Sequence, residues 1–71
     1  MNTLKALRQR AGLLQRDVAD SLGVVRTTIG NWEAGRREPN AAQMKQLCGI
    51  LDCTAAELLG MEPAEGKEEE A

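Results

Sequence analysis

A stretch of twenty residues, 15–34, constrains the fold of this chain more than any other feature. It holds two apolar stripes at helical spacing, and between them Gly23 stands where a tight turn requires a positive φ. Ala19 is small at the position where the two helix axes would approach closely. The apolar residues that would lock the helices together are Val18, Leu22, Val24, Ile29 and Trp32. The pattern predicts two short helices packed across a turn.

Trp32 is the only aromatic residue in the chain, which has no Phe or Tyr. On a helix over residues 25–34, Trp32 and Ile29 fall on one side, because residues three apart share a helix face. We therefore predict that Trp32 is buried and contributes about 2–3 kcal/mol to stability. The alternative, an exposed Trp that stacks on bases, requires single-stranded nucleic acid. The opposite side carries small and polar residues: Arg26, Thr27, Gly30, Asn31 and Ala34.

Helix signals recur along the rest of the chain, whereas the alternating runs typical of strands are missing from the sequence. Capping boxes at residues 40–43 and 54–57 open a fourth and a fifth helix. Glycine follows the predicted first, second, third and fifth helices, as is common at helix ends. A first helix has the apolar stripe Leu4, Leu7 and Ala11. The sequence therefore predicts an all-α domain of five short helices.

Charge divides the chain into two parts. The net charge is −2, but residues 62–71 alone carry five acidic side chains and one Lys. Residues 1–61 are therefore mildly basic, so the overall charge does not argue against a nucleic-acid partner. We predict one folded domain over residues 1–61 and an acidic, disordered C-terminal tail over residues 62–71. The tail either keeps the protein soluble, the simpler interpretation, or repels nonspecific DNA.

The composition argues against most enzyme and metal classes. The chain has no His and no Tyr, a single Ser, and no recognisable pair of carboxylates or lysines for acid–base work. Cys48 and Cys53 lack metal-ligand spacing, so we expect buried free thiols, with a disulfide as the alternative. The sequence has no apolar run of the roughly 18 residues that a membrane span needs. We predict a cytoplasmic protein that is not an enzyme, with no cofactor, metal, membrane or small-molecule substrate.

Residues 15–34 resemble the helix-turn-helix of the phage-repressor family, also called lambda-repressor-like or XRE-type. The resemblance covers about residues 3–60 and extends to Arg8, Gln15, and the segments 32–39 and 51–59. It implies a compact five-helix lambda-repressor-like domain that binds double-stranded DNA. It further implies a bacterial or phage-encoded transcriptional regulator, a repressor, that reads the major groove with the helix of residues 25–34. In the family, the equivalents of Arg8 and Glu33 form a buried ion pair.

The resemblance implies roles for individual side chains on the third helix and around it. Arg26 has the reach to bind guanine O6 and N7, Asn31 can bind adenine N6 and N7, and the Thr27 methyl can meet a thymine methyl. Arg26 as a phosphate contact or a solvated cation is the alternative. The predicted base-reading residues are Arg26, Thr27, Asn31 and Val25. The predicted phosphate contacts are Gln15, Thr28, Arg36, Arg37 and Arg16.

Two features depart from the family pattern. Leu14 and Val25 occupy places where Ser or Thr usually caps the second and third helices, and each loss costs about 1 kcal/mol. Gly30 stands on the recognition face, where an interior Gly costs about 1 kcal/mol relative to Ala. Drift in a tolerant helix is the simpler explanation of Gly30. The functional explanation is that Gly30 lets the backbone approach the base edges or leaves one base pair unread.

Family members commonly bind as two-fold dimers, so the resemblance implies a homodimer, at least on DNA. The candidate interface residues are Leu58, Leu59 and Met61, with core packing as the alternative for Leu58. Two rival functions remain open at this point. One is a protein-interaction module that kept the fold without reading DNA, and the other is an antitoxin that binds both DNA and a toxin.

Overall fold

The computed structural model describes residues 2–60, except for the side chain of Asn2. Within these residues there are five helices and no strand. The helices are α1 (Asn2–Arg10), α2 (Gln15–Leu22), α3 (Arg26–Ala34), α4 (Ala41–Leu51) and α5 (Ala55–Leu59). The all-α, five-helix prediction is confirmed. Met61 and the predicted acidic tail, residues 62–71, lie outside the described residues.

The core is built from apolar residues of all five helices. Trp32 is only 3% exposed, so its predicted burial is confirmed. The buried apolar residues are Leu4, Leu7, Val18, Ala19, Ile29, Trp32, Leu47, Leu51 and Leu58. Leu22 and Val24 pack against this cluster while partly exposed. Ala11, predicted to extend the first stripe, is exposed and lies beyond the end of α1.

Helix α3 is held between α1 and α2, and α5 packs against α1 and α4. The turn from α2 to α3 follows from Gly23, whose φ of 73° places it in the left-handed region that favours glycine. There the Val24 N–H donates to the Ala19 carbonyl at 3.0 Å, which ends α2 in a Schellman motif. The predicted tight turn with a positive φ is therefore confirmed.

The helix starts differ in their capping. Asn40 and Thr54 each accept a hydrogen bond from the N–H three residues on, as the capping-box spacing predicted. Leu14 and Val25 precede α2 and α3 and provide no side-chain acceptor. Val25 has an extended backbone and is the N-cap, as its predicted capping position indicated, so α3 begins one residue after the start of the range 25–34. Asp17 compensates in part, because its carboxylate accepts the Leu14 N–H at 2.8 Å.

Candidate nucleic-acid interface

Helix α3 has one buried side and one exposed side. Ile29, Trp32 and Glu33 are buried against the core, which fixes the helix in rotation. Arg26 and Thr27 are exposed at its start. Thr28, Gly30 and Asn31 are half-buried on the following turn. Val25, immediately before the helix, is 68% exposed, so all four residues predicted to read bases have side chains at least partly accessible to solvent.

A buried ion pair joins α1 to α3. Arg8 Nε lies 2.6 Å from Glu33 Oε2, and Arg8 Nη2 donates to Glu33 Oε1 at 3.3 Å. Both residues are 8% exposed. Burial alone would raise the pKa of the Glu33 carboxyl, but the hydrogen bonds from Arg8 and Gln15 and the Arg8 charge outweigh it. The pKa of Glu33 therefore lies below its ordinary value, and the carboxylate is ionised at neutral pH.

Gln15 links this ion pair to the exposed start of α3. Its Nε2 donates to Glu33 Oε1 at 2.9 Å, and its Oε1 accepts from Arg26 Nη1 at 3.0 Å. A chain of hydrogen bonds thus runs from Arg8 through Glu33 and Gln15 to Arg26. Gln15 was predicted to contact phosphate. An amide nitrogen has two protons, so Nε2 keeps one for an acceptor outside the protein.

The end of α3 brings Arg36 onto Asn31. Arg36 was predicted to contact phosphate, yet its Nε donates to Asn31 Oδ1 at 3.1 Å. Arg37 is exposed and lines a shallow polar groove. The other residues that line this groove are Thr28, Asn31, Trp32, Glu38 and Gln43. The Arg36–Asn31 and Arg26–Gln15 hydrogen bonds were not predictable from the sequence, because periodicity places residues on helix faces and does not determine which side chains meet.

Arginines surround the exposed face of α3. Arg26, Arg36 and Arg37 lie on the helix or in the loop after it, and Arg16 is exposed in the first turn of α2. Guanidinium groups carry a permanent charge and offer several donors in a planar fork, which suits phosphate oxygens. This part of the surface therefore has the chemistry to attract a polyanion and to offer hydrogen bonds at the same time.

The remaining predicted residues differ in how exposed they are. Leu58 is fully buried in the core, which favours core packing, the alternative given for it, over a dimer contact. Leu59 is 53% exposed, and Met61 lies outside the described residues. Cys48 and Cys53 are free, half-buried thiols, and burial raises the pKa of Cys53 to about 11.

Residues 2–60 contain neither a metal-binding cluster nor a membrane-spanning helix. No group of three or more His, Cys, Asp or Glu side chains there is arranged to hold a metal ion. Within the same residues, no helix combines the length and apolar character needed to cross a bilayer.

Comparison with known proteins identifies the fold of this site. A family model described as helix-turn-helix matches residues 4–58, which is most of the chain. The chain belongs to the XRE-type helix-turn-helix family. The resemblance stated from residues 15–34 is thereby confirmed, and α2 and α3 lie within those residues.

Several family members of known role are similar to the chain. The transcriptional regulator AnsR of Bacillus subtilis is 32% identical over 62 residues, covering 87% of this chain and 53% of AnsR. The transcriptional activator BcrR of Enterococcus faecalis is 37% identical over 59 residues, covering 83% of this chain and 29% of BcrR. The regulator ImmR of Bacillus subtilis is 29% identical over 66 residues, covering 93% of this chain and 52% of ImmR.

The chain thus spans about half or less of the length of these relatives. No solved structure matches the chain at comparable significance.

Proposed function

We propose that this chain is the DNA-binding domain of a sequence-specific transcriptional regulator, with α3 as the helix that enters the major groove. The observation that carries the proposal is the exposed side of α3, where Arg26, Thr27 and Asn31 stand on a helix fixed from behind by Ile29 and Trp32. An α-helix fits the major groove, where every base pair presents a distinct pattern of donors and acceptors. Family membership supports the same function.

Each base-reading residue has a defined chemical role in this proposal. Arg26 donates two hydrogen bonds to guanine O6 and N7, and Asn31 accepts from adenine N6 and donates to N7. The methyl groups of Thr27 and Val25 contact thymine methyls. Val25 suits this role because it is exposed at the end of α3 that enters the groove first.

The phosphate contacts lie around α3. Arg16, Arg36 and Arg37 are exposed cations, and Gln15 offers its remaining amide proton at the N-terminus of α2. Thr28 has a hydroxyl at the flank of the face. Such contacts set the position of the protein on the duplex and the salt dependence of binding, whereas the bases set its sequence preference.

We further propose that the domain acts as a two-fold dimer on half-sites about one helical turn apart. Leu59 and Met61 remain the candidates for the dimer contact, and Leu59 is exposed next to the buried Leu58. Repression in a bacterial cytoplasm is the proposed outcome, because a domain in the major groove excludes other proteins from the same base pairs. A relative of this chain is by name an activator, so a reporter assay must be able to detect both directions.

Selection of bound sites from a random duplex library tests the function most directly. We expect an enriched motif with two-fold symmetry, and binding to it that weakens as salt rises, because phosphate contacts release counterions. Enrichment of no motif, despite salt-dependent retention on DNA, would exclude base reading. Failure to retain DNA at low salt would instead favour a protein-interaction module with this fold.

A further inference from the structure

The C-terminus of α3 sets the direction of one side chain on the proposed DNA-reading face. Gly35 has a φ of 82°, and this left-handed residue turns the chain back on itself. The Arg36 N–H then donates to the Asn31 carbonyl at 3.0 Å, as in a Schellman motif. Backbone geometry therefore places Arg36 beside Asn31, and the side-chain bond from Nε to Oδ1 follows from that placement.

This bond fixes which way the Asn31 amide points. If the amide were flipped, its NH₂ group would face the Arg36 guanidinium, and two donors would oppose each other. With Oδ1 held by Arg36, the oxygen keeps a second lone pair and Nδ2 keeps both protons. Asn31 can therefore still make the paired hydrogen bonds that adenine requires. The bond also leaves both terminal nitrogens of the Arg36 guanidinium to donate to a phosphate.

We propose that Arg36 is a positioning residue for base recognition: it orients the Asn31 amide while its terminal nitrogens hold a phosphate. This proposal rests on the function proposed above. It replaces the sequence-based expectation that Arg36 and Arg37 act alike. Arg37 is the matched control, since it is the neighbouring arginine and is exposed like Arg36. Within residues 2–60, no hydrogen bond joins the Arg37 guanidinium to Asn31.

The test compares Asn31→Ala, Arg36→Ala, Arg37→Ala and the Asn31→Ala/Arg36→Ala double variant by fluorescence titration. The duplexes are the selected site and a set with each base pair changed in turn. Asn31→Ala should lose about tenfold discrimination at one base pair. Arg36→Ala should lose roughly threefold or more of the discrimination at that same base pair. It should also weaken binding to every duplex. Arg37→Ala should weaken binding to every duplex but should discriminate between base pairs as strongly as the wild type does.

The double variant should discriminate no worse than Asn31→Ala, because Arg36 acts on the bases through Asn31. The positioning role would be overturned if Arg36→Ala weakened binding to every duplex equally while Asn31→Ala lost discrimination at one base pair. That result would leave the proposed function intact. Arg26→Ala separates the remaining outcomes. If Arg26→Ala loses discrimination at one base pair and Asn31→Ala at none, only the positioning role fails. If neither variant loses discrimination at any base pair, the proposed function fails with it.

Discussion

Replacement of Arg8 by Met tests how much the buried ion pair stabilises the domain. Met is long, unbranched and apolar, so it fills much of the same space without the charge. Arg8 and Glu33 are each 8% exposed, so the change leaves the Glu33 carboxylate nearly without water and without its counter-ion. A buried charge stranded in this way costs about 3–5 kcal/mol. The Gln15 bond to Glu33, at 2.9 Å, remains and offsets part of that cost.

We therefore expect Arg8→Met to lower the free energy of unfolding by about 3–4 kcal/mol at neutral pH. A domain of this size has a total stability of roughly 3–9 kcal/mol, so the variant should be close to unfolding. Urea unfolding followed by fluorescence suits the measurement, because Trp32 is the only aromatic residue and is 3% exposed. Glu33→Gln, which strands Arg8 instead, serves as the second variant if Arg8→Met does not fold.

The pH dependence gives an independent check. In the wild type the pKa of Glu33 is lowered from 4.5, so its contribution is present above that pH and is lost as the pH falls through the folded-state pKa. Without Arg8, its hydrogen bond and charge no longer lower the pKa of Glu33, so that pKa should be higher than in the wild type. Protonation then relieves the stranded charge, so the stability gap between wild type and Arg8→Met should be largest near neutral pH and should narrow on acidification.

The Glu33→Leu single variant and the Arg8→Met/Glu33→Leu double variant complete the cycle. The double variant removes both charges, so it should lose less stability than the two single variants together. Additive losses below about 1 kcal/mol, with a gap that does not change with pH, would refute the reasoning, since that result is typical of an exposed pair.

Three further predictions concern the caps, Gly30 and Arg26. Leu14→Ser and Val25→Ser should each raise stability by about 0.5–1 kcal/mol in thermal unfolding. The gain should be larger at Leu14, because Asp17 would complete a capping box with the new Ser. Unchanged thermal midpoints would contradict this. Gly30→Ala should add up to about 1 kcal/mol, because a Cβ there meets only Gln15 Nε2 at 4.0 Å. Gly49→Ala on α4 is its control, and weaker DNA binding in Gly30→Ala alone would favour the functional explanation of Gly30. Arg26→Ala should cost about 1–3 kcal/mol on the selected site and relax one base position in titrations; equal losses on scrambled duplexes would contradict it.

The helix boundaries were largely predictable because their signals are local. Asn40 and Thr54 have their capping partners three residues on, and Gly23 and Gly35 supply the left-handed backbone that ends α2 and α3. The end of α4 was harder to see, because Asp52 adopts a φ of 56° in place of a glycine. Asp tolerates this conformation better than most residues, but its presence in a sequence does not signal it.

The burial of individual side chains was less predictable where a helix is short. Helix α5 has five residues, too few to define a face by periodicity, so Leu58 and Leu59 were both interface candidates, with core packing as the alternative for Leu58. Only the packing of α5 against α1 and α4 separates the buried Leu58 from the exposed Leu59. The Arg8–Glu33 pairing spans 25 residues of sequence and came from family resemblance, since spacing alone does not bring these residues together.

The two side chains proposed to read bases, Arg26 and Asn31, have different hydrogen-bond partners in the free domain, and this should affect how strongly each discriminates. Arg26 is already hydrogen-bonded to Gln15, a half-buried partner on which it can remain when the base is wrong. Its mismatch penalty should therefore lie near the lower end of about 1–3 kcal/mol. The bond from Arg36 uses only Oδ1 of Asn31 and gives its Nδ2 protons no acceptor. A wrong base would therefore leave these protons unpaired in a desolvated groove. Discrimination should then be sharper at the base pair read by Asn31 than at the one read by Arg26.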